Sequence, residues 1–230
     1  MITKHFWKPL PQVEHHIAQH CATMGYRHIA DVGGSKAHRF ASAHRSYGWA
    51  GDLQVDLDHG ELPLDIDFVY CRHTLEDLAN PAHLLGEIER IGCDGYIETP
   101  SPLAELTRGV DAGVAPHVGY MHHRWILWSD GTTLFVIPKY PLVELMRDLD
   151  RTYDLNQGPR LWNTHHQWTG PLQWRVLQHE RDYNLHNTEL RWHGMVAKEY
   201  EQWLLLAQSQ TELNNSQLVK RLASPQMQEV

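Results

Sequence analysis

The chain is short of cysteine, of surplus positive charge and of long apolar runs. Its three cysteines, Cys21, Cys71 and Cys93, form no C-x-x-C pair. So sparse and odd a set excludes a disulfide framework and fits a reducing compartment. Cys71 lies inside an apolar run and reads as core. Twenty Lys and Arg face 28 acids, for a net charge of -8, so a broad basic surface for long nucleic acid is not expected. No segment nears membrane-spanning length, and the opening MITKHFWKPLPQVEHH has no signal-peptide run. A cytoplasmic protein with no membrane or long nucleic acid partner is expected. Two motifs are absent as well: the pyrophosphate-binding G-x-G-x-x-G and the zinc-binding H-E-x-x-H.

What is present suits a single domain. Hydrophobic residues make up 42% of 230, enough for one substantial core. Val13, Ile17, Cys21 and Met24 recur at helical spacing over residues 12–25, with Gly25 as a stop. HIADVGG reads as a strand ending in glycines, residues 35–47 as a helix, LQVDL at 53–57 as a second strand and IDFVYC at 66–71 as a third. Pro81 opens a helix with Leu84, Leu85, Ile88 and Ile91 on one face, and GYIETP at 95–100 is a further strand. This rhythm predicts an α/β fold with a doubly wound, mostly parallel sheet.

Beyond residue 101 the pattern changes. GYMHHRWILW and TTLFVIPK flank Ser129-Asp130-Gly131 as a hairpin. A proline-opened helix is expected at 141–150. LWNTHHQW and LQWRVLQH flank Thr169-Gly170-Pro171 as a second antiparallel pair. A helix at 195–208 and a fraying polar tail at 209–230 complete the expectation. Eighteen histidines and nine tryptophans are dense in this half.

Ligands of open parallel sheets sit beyond the strands' carboxyl ends. Two features fall there. Asp31-Val32-Gly33-Gly34-Ser35 joins a strand to the expected helix, where glycines admit a ligand to the backbone and a helix start offers free N–H groups. Asp56 follows Gly33 by 23 positions, the place where a carboxylate grips a ribose diol. Without the pyrophosphate glycine pattern, the pair favours S-adenosylmethionine (SAM) over a nicotinamide cofactor. The ordinary alternative is a tight turn and a solvated acid.

IADVGGSKAHRF, followed by VDLDHGELPLDIDFVYCRHTLEDLANPAHLLGEIERIGCDGYIETPSP, resembles class I SAM-dependent methyltransferases of the type 11 group over residues 28–100. It departs where Ser35 and Lys36 replace a further glycine and where Leu75-Glu76-Asp77 replaces Leu-Glu-His. The resemblance implies a Rossmann-like methyltransferase fold with appended hairpin segments. Residues 26–101 would be the SAM-binding half, 102–208 the acceptor half and 209–230 a tail. It implies SAM contacts from Asp31, Gly33, Gly34, Ser35, Asp56, Leu57, Cys71 and Arg72, and a small polar acceptor such as a sugar or a natural-product intermediate.

Methyl transfer is an in-line displacement on an activated sulfonium, so the protein mainly aligns the reactants. A base serves a protonated acceptor, and histidine suits that role. His73, His122 and His123 are the catalytic candidates. If His122 and His123 lie in a strand, they point to opposite faces, and Arg124 shares a face with His122. Arg124 could then clamp an anionic group on the acceptor. The ordinary alternatives are a locally bonded loop histidine and a solvent-facing hairpin rim. Trp125, with Trp128, Trp162, Trp168, Trp174 and Trp192, either packs the second layer or walls the acceptor. Metal ligation is not expected, because adjacent strand histidines cannot chelate one ion; His165-His166 and the heptad His179, His186, His193 add no tight pair. The alternatives to an active enzyme are a non-catalytic SAM or nucleoside binder and a histidine-rich metal protein. Nothing in the sequence opposes a homo-oligomer.

Overall fold

The computed structural model describes residues 10–35, 38–111, 117–145, 162–177 and 197–222. Helix α1 (Pro11–Met24) is followed by strands β1 (Ile29–Val32), β2 (Arg45–Tyr47) and β3 (Phe68–Arg72). Helix α2 (Pro81–Ile91), strand β4 (Asp94–Pro100) and the single turn α3 (Pro102–Glu105) come next. Then follow β5 (Trp125–Ser129), β6 (Leu134–Pro138), β7 (Asn163–Trp168), β8 (Trp174–Val176) and α4 (Ala197–Leu222). The architecture is α/β, with a mixed five-stranded sheet in the order β2-β1-β3-β4-β7 and a three-stranded sheet β5-β6-β8. The first four strands are parallel, and β7 runs antiparallel to β4. No described helix is long and apolar enough to cross a membrane.

Alternation along the strands divides the core. Ile29, Phe68, Tyr70 and Tyr96 face α1, with its buried Val13, Ile17 and Cys21, and Leu218 of α4. Ala30, Val32, Val69, Cys71 and Ile97 face α2 and the inner residues Leu127, Leu134 and Val136 of the second sheet. The second sheet's other face, with Ile126, Trp128 and Ile137, packs on Tyr200, Leu204 and Ala207 of α4. Successive strand residues therefore fill two cores, as in a sheet covered on both sides.

Helices α1 and α2 match expectation, both with proline in the first turn and a left-handed glycine stop, Gly25 and Gly92. Met24, expected on the apolar face of α1, is exposed instead. Other elements differ more. No helix forms among the described residues of 35–47, where strand β2 closes the segment. Side chains take the N–H groups there: Asp31 accepts from Phe40 N–H at 2.7 Å, and Asp52 from Ser46 N–H at 3.0 Å. LQVDL is not a strand, and only Leu53 bridges to Tyr47.

The hairpin at Ser129-Asp130-Gly131 is present, with Asp130 Oδ1 accepting from the N–H groups of Thr132 and Thr133. The second expected hairpin is not. Its two strands separate, β7 to β4 and β8 parallel to β6. Trp168 explains the choice: its Nε1–H donates to the Cys93 carbonyl at 2.9 Å, and a Cβ on Gly95 would come within 2.3 Å of its ring. Only glycine lets the indole lie on β4.

The proline-opened segment forms a 3-10 turn over Pro141–Leu145; the rest of the expected 141–150 helix, Trp192 and the His179, His186, His193 series lie outside the described residues. The tail expected to fray is helical to Leu222 and buries Asn214, Asn215 and Leu218. Asn214 Nδ2–H donates to the His165 carbonyl at 2.7 Å and Asn215 Nδ2–H to the Asn163 carbonyl at 2.8 Å.

Burial lowers His166 from 6.5 to about 4, despite the nearby Asp130. The unfolded chain thus binds a proton that the folded chain refuses, and stability falls as pH drops from 6.5 towards 4. The shift corresponds to about 3 kcal/mol at 1.36 kcal/mol per unit. In urea titrations across this window, wild type is expected to lose roughly that much more than His166→Phe. Equal losses would show that His166 does not titrate out of the fold. The comparison cancels other groups in the window, including Asp31.

Candidate functional site

The chain runs from β1 to β2 on one side and returns to β3 on the other, so strand order switches between β1 and β3. The carboxyl ends here carry Gly33, Gly48, His73 and Ser101. Gly33 adopts φ 89°, and its N–H donates to the Tyr47 carbonyl at 2.7 Å. The glycines expected to admit a ligand are filled by the protein itself. A Cβ on Gly33 would lie 1.9 Å from Thr74 Oγ1, and one on Gly34 2.3 Å from Asp31 Oδ2. Asp31 is buried, and burial raises its carboxyl to about 6, against the pull of Phe40 N–H and Arg39. The predicted helix start is missing for the same reason: Asp31 takes the loop's N–H groups. Ser35 accepts from His38 N–H at 3.2 Å and turns to its own loop.

Asp56 lies elsewhere. Its carboxylate is exposed and accepts from Asp58 N–H and His59 Nδ1–H, both at 3.0 Å. The His59 hydrogen bond, then the Asp58 N–H, holds it below the usual carboxylate range. Asp56 and Leu57 line a groove of about 520 Å³ with Trp49, Gln54, Val55, Asp58 and Leu78. The Trp49 indole is 93% exposed on this groove. Gly33 and Gly34 are not among its lining residues; Gly48 and Leu57 intervene, a Cβ on Gly48 meeting both Gly33 Cα and Leu57 at 3.4 to 3.5 Å. Cys71 points into the apolar core, and burial raises its thiol.

The predicted Arg72 and His73 belong to a buried polar cluster. Arg72 Nε is 3.1 Å from Glu98 Oε1. His73 has φ 47°, and its Nδ1 lies 3.2 Å from Glu76 Oε1. Glu98, 1% exposed, also accepts from Tyr96 Oη–H at 2.7 Å and Asn163 Nδ2–H at 2.5 Å. Burial opposes its charge, but His165, Arg72 and His73 together hold it below the usual range.

A second cluster adjoins the first. Glu105, also 1% exposed, accepts from His123 Nδ1–H at 2.6 Å and Lys139 Nζ–H at 2.5 Å. Burial again opposes both charges, yet His123 and Lys139 keep Glu105 low, and Glu105, with Glu76 and Asp77, raises His123. The Glu76 carbonyl accepts from the N–H groups of Arg124 and Trp125 at 2.8 and 3.3 Å. That contact brings residues 122 and 123 against the loop after β3.

His122 and His123 do not alternate as strand residues, because β5 begins only at Trp125. Their rings meet edge-on with centroids 4.3 Å apart, and both Nε2 atoms face Asp77 Oδ1, at 3.8 and 3.9 Å. The premise of strand alternation therefore fails here: one ligand atom from each of these three residues lies within 4.8 Å of the others. Arg124 is exposed. Trp125 donates Nε1–H to the Leu78 carbonyl at 2.8 Å and acts as a structural pin. His165 and His166 are buried on opposite faces of β7, bonded to Tyr96 and Ser129.

Sequence reasoning missed Trp49, Glu76, Asp77, Glu98, Glu105 and Lys139. One signal was available: Glu98 interrupts the apolar strand YIETP at its carboxyl end, where a buried charge demands partners. No family model, curated protein or solved structure matches the chain.

Gly33→Ala is expected to cost at least about 2 kcal/mol, from the positive φ and the Thr74 clash together. Urea unfolding measures it. Adding Thr74→Gly should relieve the clash but leave the backbone strain, so a double variant no better than Gly33→Ala would rule out this packing as the reason for glycine.

Proposed function

We propose that the chain holds SAM in the groove at Asp56 and transfers its methyl group to a small polar acceptor, on a Rossmann-like methyltransferase scaffold. The observation that carries the reading is Asp56 lining the groove beside Leu57, Leu78 and the exposed face of Trp49. Each Asp56 oxygen accepts one hydrogen bond from its own loop. A carboxylate oxygen has two acceptor sites, so one on each remains for a ribose hydroxyl. The open indole face offers a stacking platform for a purine. The groove is lined by residues that follow β2 and by Leu78, which follows β3, the two strands that flank β1; a position near a switch in strand order, where such sheets take ligands, supports the reading.

SAM supplies the activated methyl group. The protein's task is to align it and, for a protonated acceptor, to take a proton. His73 is assigned that base, with Glu76 orienting its ring through Nδ1. Its place at the end of β3, beside the buried Glu98, favours a cationic or hydroxylated acceptor over an acidic one. The glycine turn closed by Thr74 and Asp31 favours a second reading, a nucleoside-binding protein without turnover.

Titration calorimetry with SAM and with S-adenosylhomocysteine tests the first step. Binding is expected, and Asp56→Ala should weaken it at least tenfold, since the carboxylate that would accept from both ribose hydroxyls is lost. No heat at millimolar SAM would sink the methyltransferase reading. Binding with no methylation of any acceptor in a broad extract screen would leave the non-catalytic one.

A further inference from the structure

We infer that Asp77, His122 and His123 form a binding site for one divalent first-row transition cation. The inference does not depend on the SAM reading. Three electron-pair donors from two separate segments converge here: one carboxylate from the loop after β3 and two imidazoles from the turn before β5. Both Nε2 atoms aim at the same oxygen, Asp77 Oδ1, at distances beyond a hydrogen bond. Among the described residues the Asp77 carboxylate accepts no hydrogen bond. Donors that face one another without bonding are what a cation draws together.

The distances suit such an ion. Bonds of 2.0–2.2 Å at tetrahedral angles separate ligand atoms by about 3.4 Å. The observed 3.8 and 3.9 Å require a closure of roughly half an ångström. His122 and Asp77 are exposed and have the freedom to supply it. His123 does not move, because Glu105 fixes its Nδ1–H at 2.6 Å and Lys139 in turn fixes Glu105 at 2.5 Å. This is the carboxylate–histidine relay that sets the tautomer of metal-bound imidazole and presents Nε2 to the ion. Nδ1 of His122 also has a carboxylate nearby, Asp111 at 4.0 Å.

A two-histidine, one-carboxylate set selects a borderline cation such as Zn²⁺, Co²⁺ or Fe²⁺ over Ca²⁺ or Mg²⁺, which prefer all-oxygen cages. Three protein ligands leave at least one coordination position for water or a ligand oxygen, as reactive rather than structural sites do. Asp77 neighbours Glu76, which orients His73, so the ion would sit one residue along the chain from the polar cluster at the end of β3.

The test uses the full chain purified without an affinity tag. Elemental analysis is expected to find close to one first-row metal per chain. After chelator treatment, Zn²⁺ should rebind at 1:1 by calorimetry, and Co²⁺ should give the intense visible bands of a four- or five-coordinate ion. Asp77→Asn and His122→Ala should each weaken Zn²⁺ at least 100-fold. His15→Ala, at an exposed histidine of α1, should leave it unchanged. Circular dichroism of the apo variants checks folding, which substitutions at exposed positions should not disturb. Failure of Zn²⁺ and Co²⁺ to bind at 1:1, or binding untouched by both site variants, overturns the inference; loss of SAM binding would not bear on it.

Discussion

Burying Glu98 and Glu105 at one edge of a parallel sheet sets a demand that the second half of the chain answers. An uncompensated buried charge costs several kcal/mol. Glu98 is answered by Arg72 of its neighbouring strand and by Asn163 of β7. Glu105 is answered by His123 and Lys139, which flank the β5–β6 hairpin. The hairpin and β7 are thus tied to the carboxyl ends by charge, as well as to the core by apolar packing. Removing either acid would leave a cation or an imidazole without its partner, and the two layers would lose their fixed register.

That arrangement concentrates chemistry where the fold has the least freedom. Glu76 is the hinge point of the cluster: its side chain meets His73, and its carbonyl receives the backbone of Arg124 and Trp125. Around it stand a groove bordered by Asp56 and Trp49, a histidine backed by a carboxylate, and a second histidine pair facing Asp77. The two proposals use different parts of this edge, so they can stand or fall separately.

Much of the first sheet was legible because its signals were local. Val13, Ile17 and Cys21 mark α1, and the apolar runs at 68–72 and 94–100 mark strands buried on both faces. Residues 35–47 misled because they can form a helix in isolation, whereas Asp31 and Asp52 capture the N–H groups that a helix would use. The partners of β7 and β8 were not legible at all. Periodicity shows that a segment is a strand, and a Gly-Pro turn suggests that it folds back, but side-chain contacts such as Trp168 over Gly95 and Asn163 on Glu98 set β7 beside β4. The same limit applies to the site. Asp56 and His73 stood out by position, while Glu105 and Lys139 are 34 residues apart and acquire meaning only in contact.

The polar underside of β7 carries a consequence for the order of assembly. Glu98 meets Asn163 across a separation of 65 residues, and the Asn163 and His165 carbonyls accept from Asn215 and Asn214 of α4. Such distant closures are slow compared with helix formation or hairpin closure. On a chain made from its amino end, β1, β3 and β4 emerge as a sheet with a hydrated, open edge. That edge is a template for pairing with another strand until β7 arrives and α4 seals it.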